Sequence, residues 1–331
     1  MAFVKQFGEF KLFQPTEEEA EGGAVVFQTV ERNKAFIAKN NKPPADALPI
    51  TGTFVAAHAP DYVGTPTLHW DVARWRDEFR RLKAKGMDTA ILQAAAWKEL
   101  KECYYPSRAL ADFTAFDVVT PLVEAAAECG VTLYLGALGT ITGWSMLSGD
   151  ALAGEIELHK AVLRELAERY GDAIAGFYFP CETAYRGKRD VAHEEQYAEI
   201  LKVFCETARQ LLPGRKIVMS PSSKYFAGKE EEFLQCWNSI FSKAMPDILV
   251  PQDSIGCGGC DLQTQPAMWR LWDRLAKSLK MTLWANIELF ERRSFGGEAP
   301  FVTASPQRIA WQCANVTPCV SKCICWEALC F

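Results

Sequence analysis

The sequence predicts a single (β/α)8 barrel. Eight short apolar runs recur with starts roughly 31 to 43 residues apart, which is too regular to ignore as a repeat. Amphipathic stretches of helical period separate them, so each unit holds one strand and one helix. That unit requires parallel strands joined by right-handed crossovers, hence a closed barrel or an open doubly wound sheet. No Gly-x-Gly-x-x-Gly follows the first run and no phosphate loop occurs, which removes the commonest reason for the open sheet.

The runs are 50–57, 89–97 (TAILQAAAW), 131–138 (VTLYLGAL), 174–183 (IAGFYFPCET), 216–223 (KIVMSPSS), 247–256 (DILVPQDSIG), 281–290 (MTLWANIELF) and 321–331 (SKCICWEALCF). Their β-branched and aromatic content and their shortness favour buried strands. Helical patterns occupy 71–86, 150–171, 192–212 and 264–279 among others. Asp71 is a cap for the first and Gly86 ends it, while Pro213-Gly214 closes the one at 192–212. Residues 1–49 read as an N-terminal extension packing on the barrel of residues 50–331. It holds the acidic stretch TEEEAEGG at 16–23 and one helix near 24–39. The sequence stops at Phe331, at the end of strand eight, so a normal eighth helix is missing and the N-terminal helix is the candidate to cover that side.

A barrel needs about 250 residues, and the 331 present accommodate one with its extension. Hydrophobic residues make up 49% and charged residues 23%, values of an ordinary globular protein. The net charge of −5 carries no basic blocks, which argues against nucleic acid or an anionic membrane as partner. The N-terminus shows no apolar signal region and no later stretch could span a bilayer, so a cytoplasmic location is expected. The 12 cysteines lie in helical and strand-edge patterns of a long chain, which favours reduced, buried thiols over a disulfide scaffold. Cys257-Gly-Gly-Cys260 has zinc-knuckle or redox spacing without a second pair at ribbon spacing. Cys319, Cys323, Cys325 and Cys330 alternate along a strand, so their sulfurs point to different sides. No metal and no cofactor is expected.

In such barrels the site is built at the C-terminal ends of the strands. His58 ends strand one, Trp97 strand two, and Trp144 lies beyond strand three. Glu182 ends strand four with Tyr185 following; Tyr225 follows strand five; Gln252 and Asp253 end strand six. Asn286, Glu288 and Arg292 belong to strand seven, and Trp326 to strand eight. Side chains alternate, so Glu182 shares a face with Pro180 and Tyr178, and Glu288 with Asn286 and Trp284. Strands four and seven face each other across the mouth. Two carboxyl groups there suit glycosidic bond hydrolysis, which needs an acid for the leaving oxygen and a carboxylate on the other side of the anomeric carbon.

Carboxylates ending strands four and seven resemble the large retaining-glycosidase clan, and Trp326 resembles that clan's substrate-floor tryptophan. The strings GFYFPCET, DILVPQDSIG and LWANIELFE are more closely similar to a domain-of-unknown-function family of glycosidase-like barrels, number 4434. The clan resemblance implies Glu182 as general acid/base and Glu288 as nucleophile of a retaining glycoside hydrolase. On that reading Glu182 lies in the less polar or more negative surroundings, and Glu288 stays ionised with support from Asn286. Retention further implies a carboxyl separation of about 5–5.5 Å. One position departs from the clan, which usually places Asn before the strand-four Glu: here it is Cys181.

The remaining candidates are substrate-binding residues: His58, Trp97, Trp144, Tyr185, Tyr225, Gln252, Asp253, Asn286, Arg292 and Trp326. Several have a plainer reading. Asp253 is either a substrate contact or an Asx-turn residue, and His58 is either a sugar-hydroxyl partner or a structural histidine. The expected partner is an oligosaccharide or glycoside. Two other functions fit a barrel of this kind: a metal-dependent sugar isomerase or epimerase, and a carbohydrate-binding barrel without catalysis.

Overall fold

Alternation along each short apolar run sorts the side chains into two layers. In the computed structural model, which describes residues 2–7, 10–14, 17–57, 67–140, 147–292 and 301–330, with side chains from residue 28 onward, one layer fills the barrel and the other meets the helices. Phe54, Ile91, Tyr134, Tyr178, Val218, Ile248, Val250 and Ile324 form the inner layer, with Trp284 and Trp326 packed against it. Their neighbours Val55, Leu92, Leu135, Phe177, Met219, Leu249 and Ile287 belong to the outer layer. This is the filled interior of a (β/α)8 barrel, in which side chains from successive strands meet at the axis.

The eight barrel strands are Ile50–Val55, Thr89–Leu92, Thr132–Gly136, Gly176–Phe179, Lys216–Met219, Ile248–Leu249, the pair Thr282–Leu283 and Ala285–Glu288, and Cys323–Trp326. Strand seven closes the sheet. Its first segment pairs with strand six through Leu249↔Leu283, and its second with strand eight through Glu288↔Trp326, all parallel. Strand eight in turn pairs with strand one.

The connecting helices are Val72–Ala84, Val119–Cys129, Gly149–Tyr170, Val191–Leu211, Glu230–Ile240, Gln265–Leu279 and Pro306–Val316. Several start where a side chain satisfies an orphan N–H. Asp71 accepts from the Arg74 N–H at 2.8 Å, and Ser305 from that of Arg308 at 3.2 Å, with Pro306 in the first turn.

The N-terminal helix runs Glu17–Asn40, longer than the stretch near 24–39, because it takes in the acidic segment that precedes it. Its described part is held by Arg32 to Asp261 at 2.7 Å, by Asn33 to the Leu262 N–H at 2.8 Å, and by Phe36 edge-on to Trp311. It therefore lies against the helix Pro306–Val316 and the loop before Gln265–Leu279. Three small additions have no counterpart in the strand-and-helix pattern. They are a hairpin of Ala2–Phe7 with Phe10–Gln14, a second hairpin of Phe290–Arg292 with Phe301–Thr303, and a four-stranded sheet formed by Ala96–Trp97, Glu102–Cys103, Thr114–Ala115 and Leu138–Gly139. Among the described residues no helix is long and apolar enough to cross a membrane.

Candidate active site

Parallel strands put all their C-terminal ends on one rim, so Glu182 and Glu288 share it. Inner-layer alternation continues beyond the hydrophobic layer: Tyr178 leads to Pro180 and Glu182, Val250 to Gln252, and Trp284 to Asn286 and Glu288. Hydrogen bonds link these ends. The Gln252 amide Nε2 donates to Glu182 Oε1, reaching across strand five from strand six. Gln252 is bridged in parallel register to Asn286, and Glu288 lies in register with Trp326, whose ring packs 5.3 Å from that of Phe54 on the barrel axis.

The two carboxyl groups sit in unlike surroundings. Glu182 is exposed, whereas Glu288 is 2% exposed. Glu288 Oε2 accepts the Cys257 N–H at 2.8 Å, an approach that Gly256 permits, since a Cβ there would stand 2.9 Å from the same oxygen. Burial, and then the charge of Asp253, push the Glu288 carboxyl up to about 8. Asp253 is fully enclosed and better supplied with donors. It accepts from the Glu288 N–H at 3.2 Å, from Gln312 at 2.6 Å and from Gln265 at 3.3 Å, with Arg308 nearby. Between the two, Asp253 carries the charge and Glu288 the proton. This reverses the expected division, in which Glu182 occupied the less polar place. Nor does Asn286 support an ionised Glu288: its Nδ2 faces Ser220 Oγ at 3.3 Å. The Cys257 thiol is raised chiefly by burial and then by the charge of Glu288, with Glu182 adding a smaller effect.

The other candidates divide. Asp253 makes an Asx-turn bond from the Ile255 N–H to Oδ1 at 3.4 Å and is 0% exposed, so it backs the rim instead of facing a substrate. Tyr185 is buried edge-on to Phe226 and Phe233 with its hydroxyl on Glu232, which directs it to the outer helices. Trp97 is 9% exposed and lies over Gly139, where a Cβ would meet its ring at 2.6 Å. All three side chains are enclosed by protein groups. Tyr225 is half-buried and donates to Glu230 at 3.0 Å at the start of the helix Glu230–Ile240. Arg292 stands over the Phe301 ring at 4.5 Å on the hairpin after strand seven. Gln252, Asn286 and Trp326 remain at the mouth. His58 and Trp144 lie outside the described residues.

Two groups escaped the sequence reading, Gln93 and Arg308, and a third, Glu327, ends strand eight beside Trp326 without having been given a role. Gln93, two residues beyond the inner Ile91, has a buried Oε1 without a donor among the described residues, as does Asn286 Oδ1. Glu327, after Trp326, is 1% exposed and raised by burial to about 7, with Cys330 Sγ donating to it at 2.9 Å. Arg308, 2% exposed, donates to the carbonyls of Glu288 at 2.8 Å and Phe290 at 2.6 Å. The run of rim positions at period two pointed to Gln93; Arg308 gave no signal, because an arginine in a helix reads as solvent-facing. Among the described residues no group of three or more His, Cys, Asp or Glu side chains is arranged to hold a metal ion.

Fold and rim together define a (β/α)8 barrel with two glutamates at the C-terminal ends of its strands. The chain belongs to the family described as domain of unknown function DUF4434, whose pattern matches residues 50–331. Similar solved structures establish the fold. A Bacteroides thetaiotaomicron protein provisionally named an alpha-L-fucosidase superposes with a TM-score of 0.69 at 21% identity, over 86% of this chain and 87% of that one. The virulence factor SghA, solved with its substrate analogue salicin, gives 0.55 at 13% identity over 89% of each chain. A family 1 β-glucosidase from Thermotoga maritima gives 0.52 at 10% identity, over 86% and 89%. No curated protein matches the chain in sequence.

Proposed function

We propose that this protein is a glycoside hydrolase that works with Glu182 and Glu288. The observation that carries this reading is one rim holding two carboxyl groups of opposite character, one buried with its proton and one exposed and held by an amide. Glycoside cleavage needs that asymmetry: one group protonates the leaving oxygen while the other acts at the anomeric carbon, either directly or through water. Glu288 is placed to donate the proton. Glu182, oriented by Gln252, is the carboxylate at the anomeric carbon, acting as nucleophile in a retaining reaction with the groups about 5–5.5 Å apart. The buried acceptors Gln93 Oε1 and Asn286 Oδ1 lack donors among the described residues, and a ligand rich in O–H groups supplies them, recovering about 1–3 kcal/mol for each. Trp326 offers an apolar face at the same level.

The test is a screen of aryl glycosides and oligosaccharides with the wild type, Glu182→Gln and Glu288→Gln. On a substrate that the wild type cleaves, each variant should lose about 10²–10⁴-fold in kcat. Glu288→Ala should impair substrates with poor leaving groups far more than activated aryl glycosides, because only the former need protonation. The opposite pattern, with Glu182→Ala sensitive to the leaving group, would restore the clan's own assignment. Wild-type rates in both variants would sink the two-carboxylate reading.

A further inference from the structure

Behind strand seven lies a buried polar cluster. Asp253, Gln265, Arg308 and Gln312 are each at most 2% exposed, and enclosing so many polar groups costs stability unless each is partnered. Their partners converge on one stretch of backbone. Asp253 Oδ1 accepts the Glu288 N–H at 3.2 Å, Arg308 Nη2 donates to the Glu288 carbonyl at 2.8 Å, and Gln312 Nε2 donates to the same carbonyl at 3.2 Å. Arg308 Nε donates to Gln312 Oε1 at 3.0 Å, and Gln312 Nε2 returns to Asp253 Oδ2 at 2.6 Å, which ties the cluster together. Both peptide groups of Glu288 are thus held by side chains from the strand-six loop and from the helix Pro306–Val316.

We infer that Asp253 is a positioning residue of the site: with Gln312 and Arg308 it forms a buried clamp on the backbone of Glu288, and its charge fixes which role Glu288 plays. A carboxylate beside an enclosed carboxyl group disfavours a second charge, and the clamp keeps the two from separating. Among the described residues, the charged and titratable groups facing Glu288 fit this account. Asp253 opposes its ionisation; the Cys257 N–H and Arg308 favour it less strongly; Arg308 also answers Glu291 at 3.9 Å; and the Cys257 thiol is held protonated by burial. Arg292 stands over Phe301, Glu182 lies across the mouth on Gln252, and Glu327 follows Trp326 on strand eight. The clamp stands on geometry alone; only the proton-donor role of Glu288 rests on the glycoside hydrolase reading.

A carboxyl titration separates the two. Glutamate labelled with 13C at the side-chain carboxyl would be followed by NMR against pH in the wild type, Glu288→Gln, Asp253→Asn and Gln312→Met. The wild type should show a glutamate with a midpoint at about 8 that is missing from Glu288→Gln. In Asp253→Asn that midpoint should fall by about 1–3 units, the range a neighbouring charge produces. Gln312→Met provides a second route should Asp253→Asn fail to fold. Withdrawing the 2.6 Å donor transfers the proton toward Asp253, and the Glu288 midpoint again falls. A purely structural Asp253 would lower stability and leave the midpoint in place; that result, or a wild type without any glutamate titrating near 8, overturns the inference. Failure of the glycoside screen leaves this titration untouched.

Discussion

Asp253 and Glu288 meet through one hydrogen bond, from the Glu288 N–H to Asp253 Oδ1 at 3.2 Å, with both carboxyl groups enclosed. The charge of Asp253 is, after burial, the main cause that raises Glu288, so the two do not ionise independently and the one with more donors takes the charge. Asp253 has amide donors on both oxygens and Arg308 beside it, while Glu288 has the Cys257 N–H. The rim thereby keeps a carboxylic acid in place at neutral pH.

Stability should record that acid. Glu288 is raised from its usual 4.5 to about 8 and Glu327 from 4.5 to about 7, both by burial first. Between the usual and the raised values the folded protein holds protons that the unfolded chain has released. Their contribution is complete below about 4.5 and is lost as pH rises through about 7 to 8. Carboxyl groups shifted downward, such as Glu165 and Asp261, act in the opposite sense but below that window. His159 and His193, shifted downward by burial, act in the opposite sense within it, so the check is a difference: the Tm of the wild type relative to Glu288→Gln should fall between pH 5 and 8, since the amide mimics the protonated acid. A Tm difference that stays constant across this range would contradict the enclosure of Glu288.

Arg308 should be among the most costly side chains to remove. Replacing it by Met leaves the carbonyls of Glu288 and Phe290 without their donor and leaves Asp253 without its nearby cation. A broken buried charge cluster costs about 3–5 kcal/mol. Arg308→Lys should recover part of this, because it keeps the charge and loses the planar group whose Nη2 serves two carbonyls while its Nε serves Gln312. Arg274, exposed and paired with Glu231 at 2.8 Å, provides the contrast: its removal should barely move the denaturant midpoint. Equal effects from the two arginines would show that the cluster does not hold strand seven.

The barrel was legible because its period is physical. Runs such as IAGFYFPCET and MTLWANIELF must bury both faces of a parallel strand, and Asp71 and Ser305 are placed to cap the helices that follow strands one and seven. The same alternation put Glu182 and Glu288 on the inward face. It failed where strands end: Asp253 turns behind the rim through its Asx bond, and Tyr185 swings to Phe233, because loop residues obey no period. The longer N-terminal helix shows a different limit, since an acidic stretch flanked by glycine reads equally as a loop or as a helix start. Arg308 and Gln312 were hidden because their role depends on which way the helix Pro306–Val316 faces, and tertiary packing alone decides that.

The glycine beside Glu288 gives a final prediction. A Cβ on Gly256 would lie 2.3 Å from the Phe290 carbonyl oxygen and 2.9 Å from Glu288 Oε2. The first contact is with backbone that Arg308 already holds at 2.6 Å, so it cannot yield without disturbing the clamp. Gly256→Ala must instead lift the loop and draw the neighbouring Cys257 N–H away from Glu288. That N–H is a donor favouring the ionised form, so its loss should move the Glu288 midpoint upward, opposite to the effect of Asp253→Asn. Gly154→Ala, in a helix with nothing within 4 Å of the new methyl, should leave the midpoint in place. Activity on any cleaved glycoside should fall in Gly256→Ala while the fold, followed by far-UV circular dichroism, persists. A Gly256→Ala protein with a wild-type midpoint and wild-type rate would show that the Cys257 contact does not position Glu288.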